Sequence, residues 1–125
     1  MNLHESAEDY LEAILNIKES QGYVRSVDIA SYMDVSKPSV TYATKKLKEN
    51  GFIKTDINGM ILLTDKGNKV ANDVWLRHKT LSKLFMYLGV KEKQAFSDAC
   101  KVEHDLSKET FDAIKTFVKN NIDKS

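Results

Sequence analysis

The chain has 125 residues, 42% hydrophobic and 30% charged, with a formal net charge of +1, enough for one compact unit or two small subdomains and typical of a soluble protein. No apolar run reaches the roughly 18 residues that a membrane-spanning helix needs, and the opening Met-Asn-Leu-His-Glu-Ser lacks the basic and apolar regions of a secretory signal. A single cysteine precludes an internal disulfide and suits a reducing cytoplasm.

Residues 5–20 predict an amphipathic helix whose apolar stripe is Tyr10, Ile14 and Ile17, widened by Leu11 and Leu15, with Gly22 ending it. Asp9 and Glu12, spaced i, i+3, place two carboxylates on a flank away from that stripe, which by themselves read as a solvated acidic face. Ser26 is the expected N-cap of a short helix from Val27 to about Met33, with Ile29 and Ala30 facing inward. After Asp34-Val35, Ser36 caps a further helix from Lys37 to about Asn50, with Pro38 in its first turn and Gly51 beyond its end.

Two helices joined by so short a link predict a helix-turn-helix. In the second helix Val40, Thr44 and Leu47 fall on the inward face. Ser39, Tyr42, Lys45 and Lys46 face outward, with Ser36, Lys37 and Pro38 at the N-terminal tip. Small polar groups, one aromatic and several lysines suit a major-groove recognition helix, although a lysine-rich solvated hairpin would look similar. The charge distribution favours the first reading. Residues 1–35 carry seven acidic and two basic side chains, whereas residues 36–55 carry five lysines against one glutamate, a local basic footprint in a nearly neutral chain.

Phe52–Thr55 and Met60–Leu63 read as two short strands, and Asn58-Gly59 between them predicts a type I′ hairpin turn with positive φ at both residues. Three helices followed by a hairpin make a winged helix-turn-helix with Asn58 and Gly59 at the wing. Thr64 then caps a helix from Asp65 to about Leu88, closed by Gly89. Its 24 residues would run about 36 Å at 1.5 Å per residue, longer than a winged domain needs, so it is expected to enter a second, helical domain. His78 lies in its middle. A helix from about Glu92 to Asp105 would align Cys100, Glu103 and His104 on one face, bringing thiol, carboxylate and imidazole together as donors for a divalent transition metal. The competing reading is a buried cysteine beside a solvated Glu-His pair. Ser107 caps a last helix to about Asn121, whose apolar face is Phe111, Ile114, Phe117 and Val118.

With these parts in order, the chain resembles the metal-dependent regulators of the diphtheria toxin repressor and manganese regulator (DtxR/MntR) family. The resemblance runs from about Ser6 to Asn121. It rests on Glu8-Asp9-Tyr10-Leu11-Glu12-Ala13-Ile14, Val24-Arg25-Ser26-Val27-Asp28-Ile29-Ala30 and Val35-Ser36-Lys37-Pro38-Ser39-Val40-Thr41. Further matches are Leu63-Thr64-Asp65-Lys66-Gly67, Arg77-His78 and Ala99-Cys100-Lys101-Val102-Glu103-His104.

The resemblance implies a mainly α fold, with a winged helix-turn-helix over residues 1–64, a helical metal-binding and dimerisation domain over 65–125, and no SH3-like third domain. It also implies the metal ligands Asp9, Glu12, His78, Cys100, Glu103 and His104, where Cys100 occupies a position that is Cys in iron-type members and Glu in typical manganese-type ones. The iron-type ancillary site would be incomplete, with Ser82 and Phe96 at two of its ligand positions.

The implied function is a cytoplasmic homodimeric regulator, expected to repress, that binds a palindromic double-stranded operator when Mn(II) or Fe(II) is bound, with Co(II), Ni(II) or Zn(II) able to substitute in vitro. Ligands from both halves would clamp the chain, and a hundredfold metal effect on DNA binding needs only about 2.7 kcal/mol of coupling. Leu81, Leu84, Phe85 and Phe111 are the expected dimer seam. A winged-helix module with a purely structural metal, or a small metallohydrolase, are the alternatives; neither a separate general base nor a glycine-rich substrate loop supports the latter.

Overall fold

The computed structural model describes residues 3–123. The elements run α1 (Leu3–Gln21), α2 (Ser26–Met33), α3 (Lys37–Glu49), β1 (Ile53–Thr55), β2 (Ile61–Leu63), α4 (Asp65–Tyr87), α5 (Glu92–Val102) and α6 (Lys108–Asn121). They form two compact units that divide between Asn72 and Asp73, within α4.

The first unit is a winged helix-turn-helix. The stripe read from α1 is buried in full: Tyr10, Leu11, Ile14, Leu15 and Ile17 are each less than a tenth exposed, and Ile29, Val40, Leu47, Ile53 and Ile61 join them in the core. Burying these side chains is the main stabilising term of the unit, at about 1.5–3 kcal/mol for each large aliphatic. Helix α2 begins one residue earlier than the serine cap implied. Arg25 is the N-cap, in extended conformation, and its backbone N–H donates to the Asp28 carboxylate at 2.9 Å. The Arg25 guanidinium adds two more bonds to that carboxylate, so Asp28, three residues into the helix, determines where the helix starts and Ser26 becomes its first residue.

Asp34 ends α2 in the left-handed region, φ 55°, which Asp tolerates better than most residues. Ser36 caps α3 as expected, its Oγ accepting the Ser39 N–H at 3.2 Å. Strands β1 and β2 pair antiparallel, Ile53 with Leu63 and Thr55 with Ile61. A bond from the Ile61 N–H to the Val24 carbonyl, 2.8 Å, ties β2 to the segment after α1.

The wing turn differs from expectation. The Gly59 N–H closes a turn on the Asp56 carbonyl, and the Asp56 N–H bonds to the Met60 carbonyl. Gly59 is left-handed, φ 79°, but Asn58 is not, so the turn is not type I′. The Asp56 carboxylate explains this: it accepts the N–H groups of both Asn58 and Met60, at 2.8 and 2.9 Å, and selects a longer loop needing one positive φ.

The second unit is helical. Val74, Leu81, Ala95, Ala99, Phe111 and Val118 are its most buried apolar residues. Ser107 caps α6 through the Thr110 N–H, 3.1 Å. Two of the four seam candidates do not qualify, since Leu81 is 1% and Phe111 6% exposed in a single chain. They are committed to this core and have no surface left for a partner. The exposed large apolar side chains here are instead Leu76, Tyr87, Leu88, Phe96 and Phe117.

Candidate metal centre and nucleic-acid surface

In the first unit, α3 presents the face read from the sequence. Ser36, Lys37, Pro38, Ser39 and Lys45 are exposed, Tyr42 is well exposed, and Lys46 is half-buried. The Lys46 ammonium lies 5.8 Å from the Tyr42 ring centroid, at the outer edge of cation–π range. The Ser36 hydroxyl is used twice within the helix, accepting from the Ser39 N–H and donating to Ser39 Oγ at 2.9 Å. It is therefore less free to reach a base than Ser39, whose own hydroxyl proton is not used in that pair. Ser39, Tyr42 and Lys46 also border a cleft of about 1100 Å³, shared with Tyr10, Val35 and Phe52. Asn58 and Gly59 are exposed at the wing. Beside them Ile57 is fully exposed, a position that sequence patterning does not single out because an isolated surface aliphatic carries no periodicity.

In the second unit, three of the expected ligands converge. His78 of α4 places Nδ1 3.0 Å from Glu103 Oε2, and His104 Nε2 lies 3.5 Å from Glu103 Oε1. The Glu103 side chain is completely inaccessible, and those of His78 and His104 are 17% and 1% exposed. A carboxylate this deeply buried requires charged or hydrogen-bonding partners. Two imidazoles beside it make a donor set that fits a divalent transition metal. Cys100 lies one turn before Glu103 on α5 and is exposed.

Helix α5 stops at Val102, short of the expected Asp105, with Glu103 as its C-cap. Glu103 and His104 thus project from the turn after the helix rather than from a helical face, while Glu103 keeps helical dihedrals, φ −58° and ψ −28°. The remaining two expected ligands, Asp9 and Glu12, are on α1 of the first unit, both half-buried rather than on an open acidic face.

The surroundings of His78 could not have been read from spacing alone. Its ring stacks on Trp75 at 5.5 Å, one turn earlier, and tilts against Phe96 of α5 at 5.7 Å. Phe96, which the resemblance would put at an ancillary-site position, is thus an aromatic neighbour of His78. Ser82 is buried, and its hydroxyl has no hydrogen-bond partner among the described residues.

A winged helix-turn-helix joined to a helical unit with such a donor cluster is the make-up of a metal-responsive DNA-binding protein. Comparison with known proteins agrees. Residues 2–58 match the family described as iron dependent repressor, N-terminal DNA binding domain, and residues 64–122 match iron dependent repressor, metal binding and dimerisation domain. The chain is 37% identical to an uncharacterised HTH-type transcriptional regulator of Methanocaldococcus jannaschii, covering 98% of this chain and 99% of that one. It is 34% identical to the HTH-type transcriptional regulator MntR of Oceanobacillus iheyensis, over 90% of this chain and 77% of the relative.

Among solved structures, the manganese regulator SloR matches with a TM-score of 0.82 and 27% identity, covering 90% of this chain and 53% of the other. A manganese-dependent transcriptional repressor in complex with manganese gives 0.82 and 28%, covering 90% and 52%. The chain spans about half the length of these two structures. It belongs to the DtxR/MntR family of metal-dependent transcriptional regulators.

Proposed function

We propose that this chain acts as a homodimeric repressor that binds a palindromic operator when Mn(II) or Fe(II) is bound, rather than as an enzyme, and that it works in the cytoplasm. The observation that carries the reading is the inaccessible Glu103 carboxylate set between His78 and His104, in a chain whose other unit is a winged helix-turn-helix. Asp9, Glu12 and Cys100 complete the proposed ligand set. The carboxylates favour Mn(II), whereas the imidazoles and thiolate pull towards Fe(II), Co(II), Ni(II) or Zn(II). When bound, the ion would supply charge and a fixed coordination geometry; within the second unit the chain supplies the His78 and His104 imidazoles beside the Glu103 carboxylate.

Lys37, Lys45 and Lys46 are the proposed phosphate contacts, and Ser36, Pro38, Ser39 and Tyr42 the base-edge candidates, with Asn58 and Gly59 at the wing. In a two-fold dimer the two recognition helices would read major grooves about 34 Å apart. The exposed apolar residues Tyr87, Leu88 and Phe117 replace Leu81 and Phe111 as the proposed seam. Tyr87 of α4 and Phe117 of α6 already meet edge to face at 6.3 Å, and both remain exposed.

An anaerobic DNA-binding titration with each divalent metal tests the proposal. Affinity is expected to rise at least tenfold with the cognate ion and to fall with salt, as phosphate contacts require. DNA binding that is unchanged by a chelator would reduce the metal to a structural role.

A further inference from the structure

Glu103 is gripped twice by consecutive residues of α4. His78 engages its carboxylate at 3.0 Å, and Arg77 engages its backbone, with Nη1 donating to the Glu103 carbonyl at 3.1 Å. The same nitrogen donates to the Leu106 carbonyl at 2.7 Å. These two carbonyls bracket the turn Glu103–Leu106, which holds Glu103 and His104. The end of a helix leaves carbonyls without intrahelical partners, and a charged donor reaching them makes bonds stronger than neutral ones.

The guanidinium is itself held in place. It lies 4.9 Å from the ring centroid of Phe111, a buried residue of α6, so α4, α6 and the turn after α5 meet at this one side chain. Arginine has no lone pair to offer a metal and keeps its charge at any physiological pH. It cannot be a ligand.

We infer that Arg77 is a positioning residue for the metal centre: by stapling the Glu103 and Leu106 carbonyls, it sets the backbone from which Glu103 and His104 present their donors. This rests on the metal-binding reading given above. Groups that orient metal ligands typically change affinity by about 10- to 100-fold when removed, and the same range is expected here.

The test compares wild type with Arg77→Met, which keeps an apolar stem against Phe111 but removes the donors, and Arg77→Lys, which keeps the charge but not the fork. His104→Ala serves as the control for the metal reading. Metal affinity is measured by calorimetry with Co(II) alone. The visible spectrum of the Co(II)-saturated protein reports ligand geometry, and thermal unfolding without metal reports the fold.

The expected result is a 10- to 100-fold weaker Co(II) affinity and an altered Co(II) spectrum in Arg77→Met, with apo unfolding close to wild type and partial recovery in Arg77→Lys. Wild-type affinity and spectrum in Arg77→Met would overturn the inference. So would a loss of apo stability in Arg77→Met with Co(II) binding by the folded fraction unchanged, which would make Arg77 purely structural. Should Arg77→Met fail to fold, Arg77→Lys decides: an affinity equal to wild type overturns the inference, and a reduced affinity with an altered spectrum supports it. No Co(II) binding by wild type, or undiminished binding in His104→Ala, would sink the metal reading of this cluster instead, and the inference with it.

Discussion

Gly67→Ala sets helix propensity against tertiary packing, and the two predict opposite signs. Gly67 lies inside α4, where replacing glycine by alanine ordinarily stabilises a helix by about 1 kcal/mol. Here the added Cβ would overlap the Phe52 carbonyl oxygen and lie 2.9 Å from the carbonyl carbon. Both are backbone atoms that cannot rotate away.

The same carbonyl accepts the Thr64 N–H at 3.1 Å. Thr64 Oγ1 donates to the Gly51 carbonyl at 2.6 Å and accepts the Gly67 N–H at 3.2 Å. Lys66 adds a bond to the Asn50 carbonyl at 3.0 Å and lies 4.3 Å from the centroid of the Phe52 ring. Relieving the overlap means separating α4 from the end of α3 and the start of β1, which weakens two or three of these bonds at about 1 kcal/mol each. Overpacking adds a further ~1–3 kcal/mol.

After subtracting the propensity gain, a net destabilisation of roughly 2–5 kcal/mol is expected. Urea unfolding of the metal-free protein measures it, with Gly67→Ser as a second variant carrying the same clash. A Gly67→Ala protein as stable as wild type, or more so, would refute the reasoning.

Three further outcomes are expected. Trp75 is the only tryptophan and stacks on His78, so Co(II) binding is expected to quench its fluorescence; an unchanged signal with calorimetrically proven binding would remove His78 from the ligand set. Thiolate ligation by Cys100 predicts an intense near-ultraviolet charge-transfer band in the Co(II) complex, lost in Cys100→Ala, while Cys100→Glu is expected to shift preference towards Mn(II); a bound Co(II) without the band would mean that Cys100 does not coordinate. Leu88→Asp places a charge on the exposed apolar area and is expected to weaken self-association at least tenfold in analytical ultracentrifugation, without lowering the stability of the subunit; a dimer of wild-type strength would move the seam elsewhere.

Local features of the chain are legible wherever the cause is local. The α1 stripe follows from residues three and four apart sharing a face. The caps at Ser36, Thr64 and Ser107 follow from a side-chain oxygen reaching a nearby N–H. The recognition face of α3 follows from the same periodicity, so the outward placement of its lysines, Tyr42 and Ser39 is a property of the sequence alone.

What the sequence could not determine depends on groups far apart in the chain or on competition between neighbours. Asp28 outcompetes Ser26 as the determinant of the α2 start by binding both the backbone and the side chain of Arg25. Asp56 displaces the Asn58-Gly59 turn by taking two N–H groups at once. Helical spacing puts Glu103 and His104 on α5, but the helix ends before them, and Arg77, more than twenty positions away, satisfies the carbonyls of that turn.

Apolar periodicity marks Leu81 and Phe111 as facing something, yet it cannot distinguish the chain's own interior from a partner's surface. Only their burial in the folded second unit decides that they belong to the core. Spacing likewise aligns Cys100, Glu103 and His104 as metal-type donors, and only the family resemblance adds His78 to them. That two imidazoles close on one inaccessible carboxylate depends on how α4 packs against the end of α5, a long-range contact that no local pattern encodes.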